Sequence, residues 1–237
     1  MSNLISVAEY TDALFKHYRI VSVLSERNES KVLRLRHKNL NRDLILRSLN
    51  TKVAAYDTLC NVKSENLPEI YDTKILTDGQ IVLEEFISGI TVADVMKSGK
   101  YRYRGAKQVL GAVCNALTVL HQNGIVHRDV KPENIIISDE GRVVLTDFNI
   151  SRRISTNTKD TVVMGTVGYA SPEQLGVTAT DTRTDIYAMG VLLNVMLTGV
   201  HPSKKLARGR AGKIVLKCTQ IDPNHRFQNI ENLISKL

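Results

Sequence analysis

The 237-residue sequence has no tryptophan, only three cysteines, and no stretch of about 18 uncharged apolar residues. The cysteines, Cys60, Cys114 and Cys218, are far apart and form no C-x-x-C pair. This distribution excludes a disulfide scaffold and predicts buried, reduced thiols rather than a metal site. No membrane-spanning segment is expected. The N-terminus lacks a basic start followed by an apolar run, and these absences together predict a cytoplasmic protein.

The charge is unbalanced towards the positive side, with a formal net charge of +8. The basic residues are scattered in small clusters. Aromatic side chains, on which nucleic-acid bases stack, make up only 5% of the sequence. We therefore expect no nucleic-acid partner, because a basic surface that attracts anionic substrates accounts for the charge equally well.

The first part of the sequence, about 85 residues long, alternates short apolar runs with polar turns. Five runs predict β-strands, at residues 18–24, 32–36, 44–49, 71–76 and 80–85. The last two strands are predicted to form a hairpin through a Thr-Asp-Gly turn. Between the third and fourth strands, Asn50 and Thr51 are predicted to cap a short helix that runs through Val62.

After Gly89 the apolar residues take the spacing of helices. Helices are predicted at residues 106–122, 184–197, 214–218 and 230–237. The second of these is apolar on nearly every side, as in a buried helix. A strand-rich part followed by a helix-rich part indicates an α+β fold with two lobes, joined near residues 85–89.

Three short motifs lie between the two long helices. They read HRDVKPEN (residues 127–134), DFN (147–149) and GTVGYASPE (165–173). In this order and spacing they resemble the catalytic loop, the metal-binding motif and the substrate-side loop of the protein kinase family. The resemblance covers essentially the whole chain. It implies a bilobal kinase fold, with a strand-rich N-lobe at residues 1–87 and a helical C-lobe at residues 88–237.

The resemblance also implies roles for the motif residues in phosphoryl transfer, a reaction that needs positioning and charge neutralisation. Asp129 would orient the attacking hydroxyl or accept its proton, and Lys131 would reach the transferring phosphate. Asn134 and Asp147 offer the oxygen ligands that Mg²⁺ prefers. Thr166 resembles the threonine that supports Asp129 and Lys131.

Other residues resemble structural and regulatory positions of the family. Asp185 resembles the buried aspartate that braces the catalytic loop, and Arg226 resembles the arginine that pairs with Glu173. Arg128 resembles the arginine that contacts a phosphorylated residue, with Asp160 as a weaker permanent charge. The candidate phosphorylation sites are Ser151, Ser155, Thr156, Thr158 and Thr161, and the alternative is that these are simply polar residues of a mobile loop.

The nucleotide-binding half departs from the family pattern. The three positions of the glycine-rich loop hold Ser25, Arg27 and Ser30, which cannot bring the backbone as close to phosphates as glycine does. Arg47 stands at the position of the ATP-binding lysine and keeps its charge but not its donor geometry, while Ile45 fills the neighbouring small-residue position. The ATP-binding residues implied by the resemblance are Val32, Arg47, Glu85, Ile87 and Ile136.

Two further departures concern charge and backbone. The helix position that usually supplies a glutamate partner to the lysine holds Ala55, and Asp57 lies on a different face. Glu84 precedes the hinge, where a buried carboxylate is costly unless hydrogen-bonded, so the candidate donors to it are Arg47 and a group on the ligand. Asn149 replaces the glycine of the metal-binding motif, a mild change because asparagine tolerates positive φ.

We therefore expect a Ser/Thr protein kinase that uses ATP and Mg²⁺ and acts on a protein substrate. The Lys-Pro-Glu-Asn sequence at residues 131–134 favours serine and threonine over tyrosine. Arg47, whether natural or an engineered Lys-to-Arg change, is expected to impair activity. The alternative is a pseudokinase, a nucleotide- or protein-binding allosteric module on the same fold. The sequence does not indicate the oligomeric state.

Overall fold

The strands predicted in the first part of the chain form one antiparallel sheet. The computed structural model describes residues 5–27, 30–154, 165–175 and 179–237. The strands are β1 (Tyr18–Arg27), β2 (Ser30–His37), β3 (Asp43–Leu49), β4 (Ile70–Leu76) and β5 (Gly79–Glu85), in the sheet order β1-β2-β3-β5-β4. A Cβ atom on Gly79 would lie 2.2 Å from the carbonyl oxygen of Leu49, so the start of β5 requires glycine.

A helix that the sequence analysis did not predict, α1 (Val7–Phe15), packs on this sheet. Its N-terminus has a capping box, in which Ser6 and Glu9 satisfy each other's backbone N–H groups. Its apolar residues contact a buried cluster on the sheet, made of Leu33, Leu35, Leu44, Leu46, Leu76 and Ile81. At its C-terminus, Lys38 Nζ donates to the carbonyl of Phe15 at 2.8 Å.

The short helix after β3 is shorter than predicted. Helix α2 spans Ala55–Leu59, and no side chain caps its N-terminus, so the prediction that Asn50 and Thr51 start a helix reaching Val62 is wrong. The reason lies in the sheet, since the N–H of Val53 donates to the side-chain oxygen of Gln80 at 2.7 Å. A residue on β5 therefore ties down the segment that precedes α2.

The rest of the chain is mainly helical. Its elements are β6 (Gly89–Thr91), α3 (Val92–Lys97), α4 (Tyr103–Gln122), β7 (Ile125–Val126), β8 (Ile135–Ser138), β9 (Val143–Leu145), β10 (Arg152–Arg153), α5 (Thr182–Thr198), α6 (Gly209–Cys218) and α7 (Ile230–Ile234). Helix α5 is buried along most of its length and ends at Gly199 in the left-handed conformation (φ 79°). Two small sheets have the strand orders β6-β8-β9 and β10-β7. The segment that contains residues 127–134 lies between β7 and β8.

The chain divides into two compact units, one of Met1–Lys63 with Pro68–Ile87 and one of Ser64–Leu67 with Ser88–Leu237. The strand-rich unit and the helix-rich unit confirm the predicted α+β fold. Among the described residues, no helix has the length and apolar character needed to cross a bilayer. All three cysteines are free thiols, and Cys114 and Cys218 are buried as predicted, whereas Cys60 is half-buried.

Candidate active site

The segment between β7 and β8 brings together four polar side chains predicted from the motifs. Lys131 Nζ donates to Asp129 Oδ2 at 2.6 Å, and the hydroxyl of Thr166 donates to Asp129 Oδ1 at 2.6 Å. Lys131 also donates to the Thr166 hydroxyl at 2.6 Å, which closes a triangle of polar contacts. Asn134 Nδ2 adds a bond of 2.9 Å to Asp129 Oδ2. Both carboxylate oxygens of Asp129 are thus held in place.

These contacts determine the charge state of Asp129. Burial by itself would raise the pKa of this carboxyl, but the bonds from Lys131, Thr166 and Asn134 hold the pKa below its ordinary value. Asp129 is therefore an ionised carboxylate at neutral pH. A fixed, ionised carboxylate beside an ammonium group can orient a hydroxyl and take up its proton.

The backbone of this segment is braced by Asp185 on α5, as predicted. Asp185 is fully buried, and its two oxygens accept from the N–H groups of His127 at 2.9 Å and Arg128 at 2.8 Å. Arg128 has a positive φ of 71°, a conformation that costs about 1–3 kcal/mol for a non-glycine residue. The two bonds to Asp185 hold this strained backbone.

Three further contacts around this backbone segment were not predicted, because no local sequence pattern indicates which residues would be the partners. His121, in the last turn of α4, places Nε2 2.8 Å from Asp185 Oδ2. Gln174 Nε2 donates to the carbonyl of Arg128 at 2.8 Å. The ring of His127 accepts from the Asp129 N–H at Nδ1 and lies 3.1 Å from the Thr146 carbonyl at Nε2, which assigns its proton to Nε2.

Asn134 and Asp147, the predicted metal ligands, lie just before β8 and just after β9, at the end where Ile135 pairs with Leu145. The N–H of Thr146 donates to the carbonyl of Asn134 at 2.8 Å, which places the residue before Asp147 against Asn134. Asn134 uses its amide nitrogen on Asp129, so its side-chain oxygen is the atom suited to a cation.

This donor set fits Mg²⁺, which is usually bound by one or two protein oxygens together with substrate phosphates. Within the described ranges, no group of three His, Cys, Asp or Glu side chains could hold a metal ion alone. Asn149 does not adopt a positive φ, and the left-handed residue of this motif is Asp147, with φ 69°.

A buried ion pair holds the far end of the helical unit, as predicted. Arg226 donates to both oxygens of Glu173, at 2.7 and 2.8 Å, and Thr184 donates to Glu173 at 2.9 Å. Although burial by itself would raise the pKa of Glu173, the bonds from Arg226 hold it below its ordinary value of 4.5.

The lowered pKa of Glu173 gives a testable pH dependence. A carboxyl with a lower pKa in the folded chain stabilises the fold fully above its unfolded pKa and loses that contribution as the pH falls through the folded value. We expect the difference in unfolding free energy between the wild type and Glu173→Gln to shrink once the pH falls below about 4.5. Denaturant titrations from pH 3 to 7 measure it, with the exposed Glu140→Gln as control. A difference that stays constant down to pH 3 contradicts the assignment.

The candidate phosphorylation sites separate into two groups. Ser155, Thr156, Thr158 and Thr161 lie outside the described residues, as does Asp160. Ser151 is described, and it is buried with its hydroxyl donating to the His127 carbonyl at 3.1 Å. The structure therefore argues against Ser151 as a phosphorylation site, because the hydroxyl is inaccessible and already used by the fold.

Four of the five predicted ATP-binding residues, Val32, Arg47, Glu85 and Ile87, belong to the strand-rich unit. Val32 on β2 is directly opposite Arg47 on β3. Glu85 ends β5, and Ile87 follows it as a buried residue. Ile136 belongs to the helical unit, on β8 between Thr91 and Val144.

The segment that corresponds to the glycine-rich loop belongs to the paired strands β1 and β2, whose register shifts between Ile20 and Ser22 and between Val23 and Ser25. Strands β1 and β2 stay paired beyond Ser25 and Val32, as far as Arg27 opposite Ser30. Glu26 forms an exposed ion pair of 2.8 Å with Lys31, so its charge is partly compensated.

Arg47 makes the contact that the sequence analysis suggested. Its Nε donates to Glu84 Oε1 at 2.7 Å, and the side chains of the two residues are only 9% and 3% exposed. The two residues of α2 that were candidates for this ion pair make no such contact in the hydrogen bonds described here. Ala55 is buried and carries no acceptor, and Asp57 pairs with Lys52 at 3.5 Å.

Comparison with known proteins adds a family match. The sequence model of the protein kinase domain matches residues 21–236, and α1 lies before this match. A protein of Clostridium perfringens named probable serine/threonine-protein kinase is 31% identical over 238 residues, covering 94% of this chain and 35% of that protein.

Two mycobacterial relatives carry the name serine/threonine-protein kinase PknB. That of Mycolicibacterium smegmatis is 32% identical over 209 residues, covering 80% of this chain and 33% of the relative. That of Mycobacterium tuberculosis H37Rv is 40% identical over 126 residues, covering 51% of this chain and 20% of the relative. The chain thus spans only about a third, or less, of the length of these three relatives.

Proposed function

The chain belongs to the protein kinase domain family, and we propose that it transfers the γ-phosphate of ATP to serine or threonine hydroxyls of a protein substrate. The observation that carries the proposal is the polar cluster in which Lys131, Thr166 and Asn134 hold the carboxylate of Asp129. The Lys-Pro-Glu-Asn sequence at residues 131–134 and the names of the relatives support serine and threonine as acceptors.

In this proposal each residue of the cluster has a defined part. Asp129 orients the substrate hydroxyl and takes up its proton, since its pKa is lowered and the group is ionised. Lys131 places a positive charge beside the carboxylate, where negative charge develops on the transferring group. Thr166 fixes the distance between the two, because it bonds to both.

Nucleotide and metal are assigned to the remaining residues. Asn134 and Asp147 would hold Mg²⁺, and Arg47 would contact the phosphates. The base and hinge contacts are assigned to Val32, Glu85, Ile87 and Ile136. When bound, ATP supplies the phosphoryl group and Mg²⁺ neutralises the charge of the phosphates. The same proposal places the domain in the cytoplasm, where ATP is available and thiols stay reduced.

The experiment that tests the proposal is transfer of label from γ-³²P-ATP, with Mg²⁺, to an acceptor protein and to the chain itself. Labelled phosphoserine or phosphothreonine after acid hydrolysis supports it. Binding of Mg-ATP without any transfer supports the pseudokinase alternative instead. Thermal shift with Mg-ATP detects the binding, because a ligand at 100 times its Kd stabilises the fold by about 2.7 kcal/mol, and label transfer separates the two.

Thr166 offers a sensitive check of the cluster. Thr166→Val removes the hydroxyl that bonds to Asp129 and Lys131 while keeping the shape of the side chain, so we expect kcat to fall by about 10- to 100-fold. Thr166→Ser keeps the hydroxyl and is expected to stay near the wild type. Steady-state kinetics measure both variants, and equal activities for Val and Ser would show that the hydroxyl has no part in the reaction.

A further inference from the structure

Arg47 and Glu84 lie on one face of the sheet, on neighbouring strands. Strands β3 and β5 are antiparallel, with Arg47 opposite Val82 and Ile45 opposite Glu84. Arg47 and Glu84 are therefore diagonal neighbours, a separation that long side chains can bridge. The Nε–Oε1 distance of 2.7 Å shows that they do.

Stability alone does not account for this pair. Both side chains are almost fully withdrawn from water, at 9% and 3% exposure. Removing two charges from water costs more than their attraction returns unless the geometry is very good, and apolar residues of similar volume are often as stable or more so. A charged pair at this place in the sheet therefore points to a use for the charge of Arg47.

We propose that Glu84 is a positioning residue that holds the Arg47 guanidinium, within the sheet, in the orientation that binds nucleotide phosphates. This inference rests on the proposed function, in which Arg47 contacts ATP. The geometry of the pair is set by the continuous pairing of β3 with β5. The α2 position expected to supply a glutamate holds Ala55, whose side chain has no acceptor, so that residue does not set the orientation of Arg47.

The pair also determines which basic residue works at position 47. The bond to Glu84 is donated by Nε, an atom that arginine has and lysine lacks. Lysine presents a single ammonium group on a flexible stem, so it cannot keep this bond while a separate set of donors faces a phosphate. Arg47→Lys, which introduces the residue that the family resemblance implies, is therefore expected to weaken nucleotide binding rather than improve it.

The test measures the Kd for Mg-ATP by calorimetry in the wild type, Arg47→Lys, Glu84→Gln and the double variant. We expect each single variant to weaken binding by about tenfold and the double variant to be no weaker than either, because the residues act as one unit. Unchanged affinity in Glu84→Gln, tighter binding in Arg47→Lys, or losses that add in the double variant would each overturn the inference.

A matched control separates positioning from general destabilisation. Asp43 on β3 is a second poorly exposed carboxylate of the same sheet, paired with Arg34 and Arg36. Asp43→Asn is expected to lower the melting temperature while the Kd stays within about twofold of the wild type. If Asp43→Asn weakens Mg-ATP binding as much as Glu84→Gln does, the effect is general destabilisation and the inference fails.

Two outcomes distinguish this inference from the proposed function. If the wild type shows no Mg-ATP binding, the proposed function fails and the inference falls with it. If the wild type binds and transfers phosphate but Glu84→Gln binds equally well, only the inference fails. If Glu84→Gln does not fold, Glu84→Asp replaces it. Aspartate keeps the negative charge of Glu84, but its shorter side chain reaches less far towards Arg47. A Kd about threefold or more above the wild type supports positioning, and a smaller change overturns it.

Discussion

Asp129→Asn is expected to lower the rate of phosphoryl transfer by about 10³-fold while leaving the fold intact. An amide cannot take up a proton from the attacking hydroxyl. It also presents a donor where Lys131 and Asn134 now donate to Oδ2 at 2.6 and 2.9 Å. Initial rates of label transfer at saturating Mg-ATP measure the effect.

The control for this variant is Asp139→Asn, which changes an exposed aspartate just after β8 in the same manner. Its activity is expected to match that of the wild type. Mg-ATP binding by Asp129→Asn is expected to be retained, because Asp129 is assigned to the protein substrate rather than to the nucleotide. A variant that keeps more than about a tenth of the wild-type rate would remove Asp129 from the reaction.

The polar cluster around Asp129 could be predicted because most of its members are fixed by short motifs. Asp129, Lys131 and Asn134 lie within one turn-rich segment, so their spacing constrains where they point. Thr166 and Asp185 are distant in sequence, and the family resemblance supplied them. The structure agrees with both kinds of prediction, with Thr166 2.6 Å from Asp129 and Asp185 bonded to the loop backbone.

The features that could not be predicted from the sequence depend on contacts between segments that are distant in the chain. The start of α2 depends on the side chain of Gln80, which takes the N–H of Val53, and no local cap signals this. Helix α1 is short, and a short helix is stabilised mainly by packing of its apolar face, here against the sheet. The burial of Ser151 depends on the carbonyl of His127, so a serine in a polar segment gave no hint of it.

The contact between Arg47 and Glu84 could be predicted only in part. The cost of a buried carboxylate at Glu84 made an arginine donor reasonable, but the choice of Arg47 depended on the register of β3 against β5. A shift by one residue would have moved Glu84 to the other face of the sheet. Buried charges are thus useful guides to contacts, provided that strand register can be fixed by other means.

Arg226→Met is expected to be the most destabilising substitution considered, with a loss of about 3–5 kcal/mol in unfolding free energy. Arg226 is fully buried and bonds to both oxygens of Glu173. It also donates to the carbonyls of Arg183, Gln220 and Ile221. Methionine fills a similar volume but leaves a buried carboxylate and three carbonyls without this donor. Urea unfolding followed by circular dichroism measures the loss.

A double variant distinguishes a lost charge partner from lost packing. In Arg226→Met with Glu173→Leu, no carboxylate is left buried, so we expect a substantial part of the stability to return. The exposed Arg208→Met controls for the substitution itself and is expected to change the unfolding free energy by less than about 0.5 kcal/mol. If the double variant is as unstable as Arg226→Met alone, the bonds from Arg226 to the three carbonyls, rather than its pairing with Glu173, hold this end of the helical unit together.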